Sequence, residues 1–145
     1  MPAKLIASDI ALLQELEHYQ QQHCATGSYG AMACFIGSMR DFNAGENVSM
    51  MILEHYPQMT QSFLDVLCAD SIKQWQLEDA LIIHRYGELK PGDDIVLVAC
   101  WSAHRAAAFN ACREMMEQLK SKAPFWKKEI TEQGERWVHD TTENN

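Results

Sequence analysis

Residues 95–130 read IVLVACWSAHRAAAFNACREMMEQLKSKAPFWKKEI, and the reading of this stretch decides the fold. Ile95–Trp101 is an almost unbroken apolar run. A strand with one wet face alternates, so a continuous run predicts a central strand covered on both faces. Ser102 stands where it can cap a helix, and the helical pattern runs on through AHRAAAFNACREMMEQLKSK. Within it Phe109, Cys112, Met116 and Leu119 recur at spacings of three and four, which predicts a core-facing stripe. Pro124 stops this helix, because the residue before a proline is pushed out of helical dihedrals. FWKKEI and RWVHD then predict two short strands joined through TEQGE.

Working outward, DALIIHRYGEL (79–89) predicts one strand, followed by the turn KPGDD with proline and glycine in favoured places. Pro57 suits a first helical position, and the helix through residues 58–75 points Phe63, Leu64, Leu67 and Ile72 inward. AMACFIGSMR (31–40) and VSMMILEHY (48–56) predict two strands that could pair with each other across the polar loop DFNAGEN. Ser8 can cap a first helix, DIALLQELEHYQQQ, with Ile10, Leu13, Leu16 and Tyr19 on one face, and TGSYG breaks it. The order is α-ββ-α-ββ-α-ββ. It predicts an α+β fold with a largely antiparallel or mixed sheet packed by helices, and residues 1–145 as one domain.

The chain has 47% hydrophobic and 22% charged residues, as a globular protein does. A formal charge of -8 argues against general nucleic-acid binding, which wants a basic domain. No run approaches a membrane span, and Asp9 and Glu15 interrupt the apolar start, so no signal peptide is expected. Five cysteines without a CxxC pair argue against a disulfide framework or a zinc site and suit reduced thiols in a cytoplasm. The histidines show no HxxxH or HExxH spacing, so neither a metal nor another cofactor is expected.

Against this acidic background Lys120, Lys122, Lys127 and Lys128 gather around Ala-Pro-Phe-Trp. One reading is a solvated basic helix end, favourable against the dipole, and it suits Lys122. The other concerns Lys120 and Lys127. The turn at Pro124 can bring their ammonium groups together, with Phe125 and Trp126 walling them from water. Mutual repulsion and partial burial lower a lysine pKa, which suits a base, an acid, a nucleophile or an anion ligand. His104 and Arg105 fall in the first turn of the long helix, where an anion such as a phosphate is welcome. Arg105 could equally pair with a carboxylate. Arg40 is a third cationic candidate. His84 and Arg85 are adjacent in a strand and point to opposite faces, which argues against a joint site.

Taken together, FIGSMRDFN, LEHYPQMT, IIHRYGELKPGDDIVLV, SAHRAAAF, LKSKAPFWKKE and GERWV resemble the large, catalytic subunit family of molybdopterin synthase. The resemblance covers about Tyr29 to Val138 and keeps the family's order and spacing. It implies a sulfurtransferase without a cofactor of its own. A small ubiquitin-like subunit ending in a Gly-Gly thiocarboxylate would insert its tail, and sulfur would pass to cyclic pyranopterin monophosphate to build the molybdopterin dithiolene. It implies a homodimer within a heterotetramer. It also implies that Lys120 and Lys127 are the catalytic residues. The substrate-binding set would be these two with Ser38, Met39, Arg40, His104, Arg105, Lys128 and Glu129. Ser38 departs from the family, which often has lysine there. Two other classes fit the same residues: a non-catalytic docking module for a ubiquitin-like protein, and a phosphate-ligand sensor using Arg40, His104 and Arg105. Finally, Arg105 and Lys120 are fifteen residues apart on one predicted helix, about 22 Å along its axis. One small substrate cannot span that, so the spacing predicts a site shared between protomers.

Overall fold

A computed structural model describes residues 3–138; His139 and Asp140 of the predicted last strand lie outside them. The chain folds as an α+β structure with two sheets. In the first sheet, β1 (Ala3–Ile6), β5 (Asp79–Arg85), β7 (Asp94–Ser102) and β2 (Ala31–Ser38) lie in the order β1-β5-β7-β2. β1 runs parallel to β5, and the other neighbours are antiparallel. β5 and β7 are therefore central, as the apolar run 95–101 requires. Their side chains alternate between two apolar clusters. Ala80, Ile82, Val96, Val98 and Cys100 pack with Leu64, Cys68, Ala111, Cys112, Met115 and Leu119 of helices α2 (Pro57–Trp75) and α3 (Arg105–Lys122). Leu81, Ile83, Leu97, Ala99 and Trp101 pack with Leu12 and Leu16 of α1 (Leu12–His23) on the other side. Burial on both faces is what removed the alternation from the sequence.

The second sheet runs β3 (Phe42–Asn43), β4 (Glu46–His55), β8 (Phe125–Thr131), β9 (Gly134–Val138), with β6 (Gly87–Leu89) also paired to β4. Met39, Val48, Met51, Leu53 and Leu89 form its apolar cluster, against Ile95 and Phe125. No helix among the described residues is long and apolar enough to cross a membrane.

Several expectations are corrected. The strands at 31–40 and 48–56 do not pair with each other: β2 pairs with β7, and β4 with β3, β6 and β8. The loop between them holds β3, which turns into β4 through Ala44 and Gly45 at φ 51° and 83°. Positive φ at both positions is what a two-residue hairpin of matching twist needs. Residues 79–89 break into two strands, because Gly87 at φ 89° redirects the chain from one sheet to the other. Ser8 does not cap α1, which starts at Leu12 after Ala11; Leu12 is buried, and Leu13 is 65% exposed. Ser102 does not cap α3 either. It ends β7, and His104 occupies the N-cap position without a side-chain capping bond. The core stripe of α3 is Ala108, Ala111, Cys112, Met115 and Leu119, while Phe109 is 66% exposed.

Candidate functional site

The seam between the two sheets opens as a cavity under the last turns of α3, and each of its walls follows from a local rule. On α3, Met116, Leu119 and Lys120 line it, at the three- and four-residue spacing that shares a helix face. Ala123 is extended, and its N–H donates to the Leu119 carbonyl at 3.3 Å. The Thr60 hydroxyl donates to the Pro124 carbonyl at 3.4 Å, which ties this turn to α2. The chain then re-enters as β8, where Phe125, Lys127 and Glu129 face the cavity on alternate residues. Phe35, Gly37 and Ser38 of β2, Met51 and Leu53 of β4, and His84 of β5 close the remaining sides.

Arg40 is placed by the backbone beside it. The Met39 N–H donates to the Asp93 carbonyl, and the Met39 carbonyl accepts from the Gly92 N–H, both at 2.8 Å. This clamps the end of β2 to the turn before β7 and leaves buried Met39 and exposed Arg40 on the cavity wall. The Ser38 hydroxyl, at the rim, donates to Asp94 Oδ1 at 2.7 Å.

Glu129 is 6% exposed, and a carboxylate so buried needs partners. Asn43 Nδ2 donates to its Oε2 at 2.9 Å. Arg136 reaches its Oε1 with Nε at 3.0 Å and Nη2 at 2.9 Å. Arg136 also pairs with Glu46 and donates to the Asn43 carbonyl at 2.7 Å. The network joins β3, β4, β8 and β9 behind the cavity.

Of the residues singled out in the sequence, the structure brings Ser38, Met39, Arg40, Lys120, Lys127 and Glu129 to this one cavity. Lys128 faces the other way: its Nζ lies 3.5 Å from Glu135 and 5.5 Å from the centre of the Trp137 ring. His104 and Arg105 are exposed at the far end of α3. The expected aromatic wall is corrected by the same alternation. Phe125 lines the cavity, but Trp126 projects from the opposite face, donating to Glu54 at 3.2 Å beside the Tyr56 ring.

Sequence reasoning missed His84 as a site residue. It shares its strand face with Ala80 and Ile82, and its ring stacks on Phe125 at 4.0 Å. Burial is the main cause that pushes its pKa down to about 4, opposed by the bond to the Arg85 carbonyl and assisted by Lys127, His55 and Lys120. The sequence held only half of the signal, a polar residue ending the apolar run Ala80–Ile83; that its strand face meets the helices follows from the sheet order. Its neighbour Arg85 points the opposite way, buried, with Asp9 and Asp93 at 3.7 and 3.6 Å.

Chemically, the cavity combines apolar walls with cations from separate elements, a neutral imidazole and a compensated carboxylate. It suits a flat, partly apolar ligand that carries anionic groups. The chain is also similar to known proteins. The family model described as "MoaE protein" matches residues 11–122. The molybdopterin synthase catalytic subunit of Ralstonia nicotianae is 57% identical over 109 residues; the match spans 75% of this chain and 62% of that protein. Its counterpart from Pseudomonas aeruginosa is 50% identical over 116 residues, 80% of this chain and 77% of that one. The solved structure of the molybdopterin biosynthesis MoaE protein from Burkholderia ambifaria superposes with a TM-score of 0.79 at 40% identity, covering 97% and 90% of the two chains. By sequence over most of its length, and by fold, the chain belongs to the MoaE family of molybdopterin synthase catalytic subunits.

Proposed function

We propose that this protein is the catalytic subunit of a molybdopterin synthase, a sulfurtransferase. It takes sulfur from the C-terminal thiocarboxylate of a small ubiquitin-like subunit and passes it to cyclic pyranopterin monophosphate, and two transfers give the dithiolene. The observation that carries this reading is the meeting of Lys120, Lys127 and Arg40 in one apolar-walled cavity. An acyl-thio donor supplies the sulfur, so the chain's own work is to bind, orient and move protons. Arg40 and the lysines suit the anionic groups of the substrate. Lys120, on α3, meets the incoming tail, and Lys127, on β8, handles proton transfer or the pterin. Phe125, Leu119, Met51 and Leu53 keep water from the acyl group. Met39 and Ser38 complete the wall beside Arg40, while Glu129 holds the second sheet in place behind the lysines. Lys128 acts from outside the cavity. The five cysteine thiols suit a reducing cytoplasm.

The protein works as a homodimer with one small subunit at each end, and His104 and Arg105 serve the partner's cavity. α3 is unbroken from Arg105 to Lys122, so the separation of about 22 Å between Arg105 and Lys120 stands. Midway along it, Phe109, Arg113 and Met116 line a groove with Met32 and Cys34 of β2, and Phe109 and Met32 are exposed apolar side chains. Two copies of α3 crossing antiparallel about Cys112 and Arg113 would cover this groove. The same crossing would lay Phe109 on Met116 of the second copy and carry Arg105 to the Lys120 of the second copy.

Reconstitution tests the function. The purified chain, a thiocarboxylated small subunit and cyclic pyranopterin monophosphate should together yield the dithiolene. A small subunit ending in an ordinary carboxylate should bind without turnover. Turnover from free sulfide with no partner protein would overturn the reading.

A further inference from the structure

We propose that His84 reads the pterin ring of the substrate, accepting a hydrogen bond from a ring N–H at its Nε2; this deepens the synthase reading above and rests on it. The residue is 8% exposed and lines the cavity beside Lys120 and Lys127. Its Nδ1 lies 2.8 Å from the carbonyl oxygen of Arg85. A carbonyl can only accept, so Nδ1 carries the hydrogen. In a neutral imidazole the other nitrogen is then a lone-pair acceptor. The stack on Phe125, at 4.0 Å and 21° between planes, fixes the ring as well as the tautomer.

The ring also stays neutral. The charged and titratable groups that bear on it are Lys127 from β8, His55 from β4 and Lys120 from α3. Burial is the largest influence, and all three add to it, so protonation is disfavoured well below neutral pH.

The ligand's chemistry calls for such a group. Arg40, Lys120 and Lys127 match phosphate and thiocarboxylate, but all three are donors. A pterin also presents N–H donors of its own, and an N–H buried without an acceptor costs binding energy. The Glu129 carboxylate is held by Asn43 and Arg136, and the Ser38 hydroxyl is engaged with Asp94. His84 offers an acceptor whose direction is set by a backbone bond, and it brings no negative charge that would compete for the lysines.

The test uses the full chain reconstituted with a thiocarboxylated small subunit, and two variants that separate the ring nitrogens. His84→Asn keeps an amide N–H near Nδ1, hence the bond to Arg85, but has no atom at Nε2. His84→Gln places an amide oxygen near Nε2. His84→Asn should raise KM for cyclic pyranopterin monophosphate about tenfold, with a smaller effect on kcat, and His84→Gln should stay within about threefold of the parent. Equal KM values for the two variants, or a parental KM in His84→Asn, would overturn the assignment. A second readout needs no variant. The 15N resonance of His84 Nε2 should be that of an unprotonated nitrogen at neutral pH and should move on saturation with the substrate. A protonated Nε2, or one indifferent to substrate, rejects the proposal even where a variant fails to fold. Absence of turnover in the parent protein would instead remove the synthase reading, and the His84 assignment with it.

Discussion

Lys120 leaves the last turn of α3, and Lys127 enters from β8 after the chain has reversed at Pro124. Neither belongs to an apolar cluster, so truncating either should cost chemistry more than stability. Lys120→Ala and Lys127→Ala should each lower synthase turnover about a hundredfold or more while melting within a few degrees of the parent. Lys122→Ala should change turnover less than about twofold, since that side chain is exposed on the same helix end. Lys120→Arg should also be poor, because arginine keeps the charge but does not deprotonate usefully. Parental turnover in Lys120→Ala would remove it from the mechanism. His84 gives a second residue-level expectation, about acid. Its value of about 4 in the fold lies below the ordinary 6.5. Between these values the unfolded chain binds a proton that the folded chain refuses, so stability falls as pH drops through this window. Between about pH 7 and about pH 4.5 the parent should lose on the order of 2 kcal/mol more than His84→Gln. Urea unfolding at the two pH values reads that difference directly, and parallel losses would contradict it. The lysines were legible because four cations around a proline stand out in an acidic chain. His84 was not, because its meaning depends on which strand face meets α3, and that is settled by sheet order.

At the scale of elements, the approach of the chain to α3 is the tightest joint. Gly30 donates its N–H to the Ser102 carbonyl at 2.9 Å, and a Cβ built on it would lie 2.3 Å from the Ala103 carbonyl oxygen. That oxygen belongs to backbone and cannot swing aside. Gly30→Ala should therefore destabilise the protein by about 1–3 kcal/mol and displace the neighbouring His104 and Arg105. Thermal unfolding checks the first effect, and the affinity for substrate in the assembled enzyme checks the second. A melting temperature equal to the parent's would mean that the joint gives way more easily than its geometry implies. The long elements α2, α3 and β7 were readable from periodicity and from Pro57 and Pro124. β1 was missed because Lys4 interrupts a four-residue strand whose partner, β5, lies far along the chain. The helix starts were misread because serine marks a cap only where the next residues turn at once. Three residues separate Ser8 from α1 and two separate Ser102 from α3, and the N-cap positions fall instead on Ala11 and His104, both with extended dihedrals. The pairing of 31–40 with 48–56 failed for a related reason. Adjacency in sequence favours a hairpin, yet β2 finds in β7 a partner buried along almost its whole length over the helices.

At the scale of the molecule, one cavity draws on residues from Phe35 to Glu129 and needs both sheets. The length of α3 was readable in the sequence, and with it the distance that sets His104 and Arg105 apart from Lys120. The groove around Phe109 was not, because the helical pattern assigns that residue to the core and only the packed structure turns it outward. Mixing subunits tests the shared site. Arg105→Ala and Lys120→Ala proteins, each inactive alone, should on random exchange regain about a quarter of parental activity, since half the dimers are mixed and each mixed dimer holds one intact site. No recovery despite demonstrated exchange would place both groups in one chain's cavity. The position of the cavity on the seam between the sheets also bears on inhibition. A molecule lodged there touches β2, β5 and α3 on one side and β4 and β8 on the other, so it bridges the halves of the fold. Any tight occupant, whether or not it resembles a pterin, should act as a clamp. At a hundred times its Kd it would add about 2.7 kcal/mol to folding. Compounds that block this enzyme should therefore also be compounds that keep it from melting, and a library could be sorted by heat before any sulfur is transferred.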